Sequence, residues 1–162
     1  VDVERRRNIL AITLGWREWI GFPDLGIPSI KAKVDTGART SCLHAFWVEP
    51  FEVDGAPWVR FGIHPVQGSD STEEIRCEAP LLDKRLVRDS GGHEELRHVI
   101  NTTIKVGEMQ IKADVTLTDR DSMKFRVLLG RTAMRCNFVV DPARSYLYSK
   151  SGKRKQTKVR HG

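Results

Sequence analysis

Cysteine is scarce in this chain: Cys42, Cys77 and Cys136 are an odd number, with no CxxC pair among them. That excludes the disulfide framework of a small secreted domain and fits a reducing, cytoplasmic compartment. No apolar run approaches the roughly 18 residues that a membrane-spanning helix needs. The stretch Ile9 to Ile12, behind Arg5-Arg6-Arg7, is too short and too soon interrupted for a signal-peptide core. The chain begins at Val1 rather than Met, which leaves an upstream segment open. No GxxxxGK[ST] loop is present to cradle a nucleotide, and no HExxH pair to hold zinc. His93 and His98 are spaced i,i+5 instead, so a helix turns the second imidazole away from the first and a strand places them on opposite faces. Cys42 and His44 could share a strand face with Cys77 or His64 nearby, but no spacing compels it. We expect no metal and no cofactor.

What is present describes one soluble domain. The 162 residues are 40% hydrophobic and 30% charged, enough for a single core and short for two. The formal net charge of +6 is unevenly placed. Lys150, Lys153, Arg154, Lys155, Lys158 and Arg160 fall in a Gly/Ser/Lys-rich end without one acid, and these six account for the whole excess. We therefore divide the chain into an N-terminal extension (1–12), a near-neutral folded body (13–148) and a basic tail expected to be disordered (149–162). Such a tail keeps a protein soluble, or contacts RNA by releasing counterions from phosphates.

The body reads as strand. Ile30, Ala32 and Val34 alternate with lysines; Val59, Phe61 and Ile63 alternate with polar or small residues; so do Ile111, Ala113, Val115 and Leu117. Each period-2 run buries one face of a sheet. Turn signals separate them: Pro23 to Gly26, Asp54-Gly55, Gly91-Gly92, Gly107-Glu108 and Asp119 to Ser122. Gly107-Glu108 suits a two-residue hairpin turn with Gly first. Only Arg131 to Cys136 reads as a short helix. The expectation is an all-β fold, a closed or semi-closed barrel with one short C-terminal helix. Trp16, Trp19, Trp47 and Trp58 are expected in the core or at a subunit seam, and nothing marks them as a nucleotide-stacking set.

One constellation carries chemistry. The apolar strand Ile30 to Val34 runs into Asp35-Thr36-Gly37-Ala38, placing a carboxylate at a protected position where Gly37 allows a tight turn and a close backbone N–H. Further on, Val127-Leu128-Leu129 ends in Gly130-Arg131 just before the helix. Asp89-Ser90-Gly91 is a second Asp-Ser/Thr-Gly, but its lead-in is poor and too little chain separates it from Asp35 for a complete second lobe. Read alone, Asp35 is also compatible with a plain Asx-turn at a strand end.

Together the two motifs resemble the retropepsins, single-lobed aspartic peptidases with apolar-apolar-Asp-Thr-Gly-Ala, a flap hairpin, then apolar-apolar-Gly-Arg opening a helix. Asp35 to Ala45, Thr116 to Met123, Leu128 to Arg131 and Val140 to Ser145 look like a bacterial family often labelled "ATP-dependent zinc protease". That family is associated with RimK, a ligase that adds glutamates to a ribosomal protein. The resemblance covers residues 13–148 and implies a retropepsin-like barrel, a homodimer, and Asp35, Thr36 and Gly37 as catalytic residues, with Arg85 to His98 as the flap. Two Asp35 carboxylates would face each other and share one proton, since like charges that close cannot both ionise cheaply. The ionised partner activates a water and the protonated one polarises the scissile carbonyl. Peptide substrates, including glutamate-tailed ribosomal protein, are the partners this implies.

The viral pattern has an acid after DTGA that pairs with the Arg of Gly-Arg; here that position is Arg39. We read Ala38, Arg39 and Arg131 as substrate-binding, the two guanidiniums taking carboxylates bidentately; the bland alternative pairs Arg39 with Asp141 or Asp119. Two other function classes stay open: a zinc peptidase, and a catalytically silent domain docking on ribosome or RNA through its tail.

Overall fold

The computed structural model describes residues 11–65, 73–88, 91–119, 124–135 and 137–149. The extension before Ala11, the tail from Lys150, Asp89-Ser90, the turn residues 120–122 and Cys136 lie outside them. The described chain is almost all strand: β1 (Ile12–Leu14), β2 (Arg17–Phe22), β3 (Ile27–Val34), β4 (Ser41–His44), β5 (Trp47–Val53), β6 (Ala56–Ile63), β7 (Ile75–Pro80), β8 (Asp83–Arg88), β9 (Glu94–Val106), β10 (Met109–Thr118), β11 (Val127–Leu129) and β12 (Phe138–Val140). The one α-helix among these residues, α1, is Arg131–Met134, opening where Gly130-Arg131 placed it. No described helix is long and apolar enough to cross a membrane.

Six strands close into a ring. β2 lies antiparallel to β3, β3 parallel to β11, β11 antiparallel to β4, β4 parallel to β10, β10 antiparallel to β9, and β9 returns to β2 at Lys105–Gly21. Closure leaves no free edge on these six strands. β8 hangs on the outer half of β9. β5, β6 and β7 form a separate three-stranded sheet, and β1 pairs in parallel with β12.

The turns follow their residues. Val53 pairs with Ala56 across Asp54-Gly55, both at positive φ (51° and 80°), the type I′ geometry that matches strand twist. Gly107 (φ 58°) opens the two-residue turn between Val106 and Met109, as its sequence suggested.

Inward residues of the alternating runs make the core. Ile30, Ala32, Val59, Phe61, Ile63, Val115, Val127 and Leu129 are fully buried, joined by Leu14, Phe22, Ile27, Leu43, Ile100 and Ile104. Each large apolar side chain so removed from water contributes about 1.5–3 kcal/mol before entropy is counted. Cys77 sits in this core as a thiol, its pKa pushed up to about 12 by burial, and Cys42 is likewise buried. All four tryptophans are half-buried, and none joins the fully enclosed core that was one of the two places expected for them.

One charge is wholly enclosed. Glu18 is 0% exposed, and its carboxylate accepts five hydrogen bonds: from the N–H groups of Gly15 (2.6 Å), Leu147 (2.9 Å), Tyr148 (3.3 Å) and Ser149 (3.0 Å), and from the Ser149 hydroxyl (2.9 Å). This cage ties residues 147–149 to β2. Glu18→Gln keeps the shape but turns a donor toward donors, so it is expected to cost about 2–4 kcal/mol of unfolding free energy. Urea titration of both proteins measures it, and an unchanged midpoint would contradict the account.

Candidate functional site

β3 delivers Asp35 to the end of the barrel. Ile30, Ala32 and Val34 anchor the strand inward, Val34 donates its N–H to the Trp16 carbonyl (2.8 Å), and the Asp35 N–H donates to the Leu129 carbonyl on β11 (2.9 Å). The chain then turns: the Ala38 N–H donates to the Asp35 carbonyl (3.2 Å) and the Gly37 N–H to Asp35 Oδ1 (3.0 Å). A Cβ on Gly37 would stand 3.2 Å from that same oxygen, so the carboxylate would have to give by a few tenths of an ångström. Oδ2 takes no hydrogen bond among the described residues. Asp35 and Ala38 are half-buried, and Thr36 and Gly37 are exposed.

α1 and the 35–40 loop hold each other. The Arg131 N–H donates to the Ala38 carbonyl (2.8 Å) and the Thr132 N–H to the Arg39 carbonyl (3.0 Å), satisfying two donors that a helix start leaves open. The Arg131 guanidinium reaches back through Nη1 to the Thr36 carbonyl (2.9 Å). Beneath them the buried Gly130 N–H donates to Ser41 Oγ (3.0 Å), and a Cβ on Gly130 would meet the Thr40 carbonyl carbon at 2.6 Å and the Ser41 nitrogen at 2.9 Å. Ser41 escaped sequence reasoning; its signal was a polar residue on the same strand face as Leu43.

The two arginines read as a substrate pair serve different neighbours. Arg131 braces the turn. Arg39 is exposed, makes no salt bridge among the described residues, and so pairs with neither Asp141 nor Asp119. It lines a cavity of about 420 Å³ with Arg85, Asn101, Lys112, Asp114 and Thr132. Arg85 is already bonded there to Asp83 and Asp114, both at 3.2 Å, which raises its pKa further. Arg39 and Lys112 are left as cations of that cavity with no salt bridge among the described residues.

β8 and β9 form the hairpin expected over Arg85 to His98. On its outer face Leu86 and Leu96 stand opposite each other, 65% and 60% exposed. Its inner face is tethered: Glu95 accepts from Thr118 (3.1 Å), Arg97 reaches Cys42 Sγ (3.7 Å), and Arg85 reaches Asp114. His98, opposite Lys84, has its pKa lowered by burial and then by that lysine's charge. His44 is 3% exposed, with Arg126 Nη1 3.3 Å from Nδ1 and Asp119 3.9 Å from Nε2. Among the described residues no three His, Cys, Asp or Glu side chains converge to hold a metal.

Residues 13–151 match the family model described as RimB-like, the retropepsin-like aspartic endopeptidase RimB. A protein named probable alpha-L-glutamate ligase from Shewanella pealeana is 45% identical over 139 residues, covering 86% of this chain and 30% of its own length. One of the same name from Parasynechococcus marenigrum is 47% identical over 135 residues, 83% of this chain and 29% of its own. The chain thus spans less than a third of these curated relatives. The crystal structure of a protein of unknown function from Legionella pneumophila superposes with a TM-score of 0.68 at 28% identity, covering 85% of this chain and 98% of that one.

The Ser41–Gly130 bond makes a testable demand. Ser41→Ala leaves a buried N–H without its acceptor and should cost about 1–3 kcal/mol. Amide exchange at Gly130, Arg131 and Thr132 should accelerate before that of β6. Uniform acceleration across the chain would count against a local role.

Proposed function

Because the chain belongs to the RimB-like family of retropepsin-like aspartic endopeptidases, we propose that two copies pair so that their Asp35 carboxylates face each other and hydrolyse peptide bonds. The observation that carries this reading is the state of Asp35: one oxygen is clamped by Gly37, the other is open, and the group sits half-buried at the end of β3. A single carboxylate cannot act as base toward water and as acid toward a carbonyl at once, and Asp35 is the one Asp-Thr-Gly acid of the chain. A twofold pair supplies the second group and leaves one proton shared between them, as in the dyads of aspartic proteases. Gly37 fixes each carboxylate, and Arg131, by holding the Thr36 carbonyl, keeps the turn rigid.

The substrate class we assign is a glutamate-rich polypeptide. Two features support it. Arg39 and Lys112 line the cavity beside the 35–40 loop and make no salt bridge among the described residues, and the matched domain occurs within proteins named alpha-L-glutamate ligases. Next to such a ligase, a hydrolase of this kind would trim acidic tails. The exposed Leu86–Leu96 pair fits a flap that closes on substrate and excludes water.

Asp35→Asn should lower hydrolysis of a glutamate-extended peptide by at least about 10²-fold, with chelator having no effect on the wild type. Activity per chain should fall on dilution as dimers dissociate. Full activity in the variant, or activity abolished by chelator, would refute the reading. Arg39→Ala should weaken kcat/KM for the acidic peptide about tenfold, near 1.4 kcal/mol, and leave a neutral peptide within about twofold. Equal loss on both peptides would remove Arg39 from acid recognition.

A further inference from the structure

The outer face of β2 and β3 gathers positive charge that no acid among the described residues offsets. Cross-strand register sets Arg17 opposite Lys33 and Trp19 opposite Lys31. Lys124 comes in from the segment before β11, and a cavity of about 420 Å³ opens among Trp16, Arg17, Lys31, Lys33, Lys124 and Phe125. No acid lines it, and none of its four cations makes a salt bridge among the described residues. By contrast, Arg60, Arg85, Arg88 and Arg97 each hold a carboxylate. Four like charges side by side repel one another, so their clustering costs stability unless an anionic partner arrives.

We propose that this face docks an acidic, extended polypeptide. The choice of a peptide rests on the hydrolase reading above; the anionic character of the partner does not. Lys31 and Lys33 point to the same side of β3, about 6.6 Å apart at 3.3 Å per residue. An extended chain presents alternate side chains at that same interval, so successive outward carboxylates meet successive lysines. Arg17 is held ready: its guanidinium lies 4.6 Å from the Trp16 ring centroid and 5.0 Å from that of Tyr146, and Nε donates to Ser145 Oγ (3.1 Å). Lys31 covers Trp19 at 5.5 Å, and Tyr146 stacks on the same indole at 6.1 Å. These ring faces are therefore occupied by the protein's own groups, which removes the open stacking platforms that single-stranded nucleic acid uses. Lys33 lies two residues before Asp35 on β3, so a tail lying on this face is close to the proposed point of hydrolysis.

The test measures binding of a fluorescein-labelled decaglutamate peptide by anisotropy, on the full chain in the Asp35→Asn background. Anisotropy reads binding rather than turnover, and intact peptide is checked at the end of each titration, so the result does not depend on whether Asp35 hydrolyses anything. Lys33→Glu/Lys124→Glu should weaken binding about tenfold or more, and the neutralising pair Lys33→Gln/Lys124→Gln about threefold. An equal charge reversal in the tail, Lys153→Glu/Lys155→Glu, should change it less than about twofold. A labelled oligouridylate should bind more weakly than the peptide. Three results would overturn the proposal: unchanged affinity in both Lys33/Lys124 pairs, equal loss on reversing the tail, or tighter binding of the oligouridylate that those same pairs abolish.

Discussion

The insertion of β11 between β3 and β4 is the constraint on which the site depends. Val127, Leu128 and Leu129 pair in parallel with Ala32, Lys33 and Val34 on one side, and Val127 and Leu128 pair antiparallel with Leu43 and Cys42 on the other. Because β3 and β4 are consecutive in the chain, the loop joining them has to pass over the end of the strand that separates them. The end it crosses is Gly130, where the Thr40–Ser41 backbone leaves no room for a side chain. The Asp35 amide closes onto Leu129 and the loop carbonyls close onto the start of α1. The position of the carboxylate thus follows from strand order: the two central strands and the loop cannot shift independently.

Much of this was legible in the residues, and the rest was hidden for a physical reason. Alternation marked β3, β6 and β10 and their inward faces, because burial of one face leaves a period of two in the sequence. Asp54-Gly55 and Gly107-Glu108 marked their turns, because positive φ selects glycine and its neighbours. The Asp35 turn and the Gly130-Arg131 helix start were also plain. Pairing between distant strands leaves no local trace, so the wedge of β11, the parallel β1–β12 ladder and the separation of β5–β7 into their own sheet were not. Side-chain direction was equally silent. Residue type made Arg39 and Arg131 look alike, and only the fold sends one to the Thr36 carbonyl and the other into a cavity with Lys112. Ser41 showed only as a polar residue on an apolar strand face, because its partner is a backbone amide 89 residues away.

Charge shows the same limit. Counted along the sequence, the body is balanced, which suggests an electrically featureless surface. Folded, Asp83, Glu94, Glu95 and Asp114 sit where arginines already neutralise them, while the outer face of β2 and β3 keeps its cations uncompensated among the described residues. A net charge near zero is a sum, and association responds to the local field rather than to the total.

β1 runs alongside β12, and the Glu18 cage fastens residues 147–149 beside β2. The described polypeptide therefore enters and leaves on one side of the barrel. A domain wired in this way behaves like a bead with both strings at a single hole, its two described ends held together by one buried carboxylate.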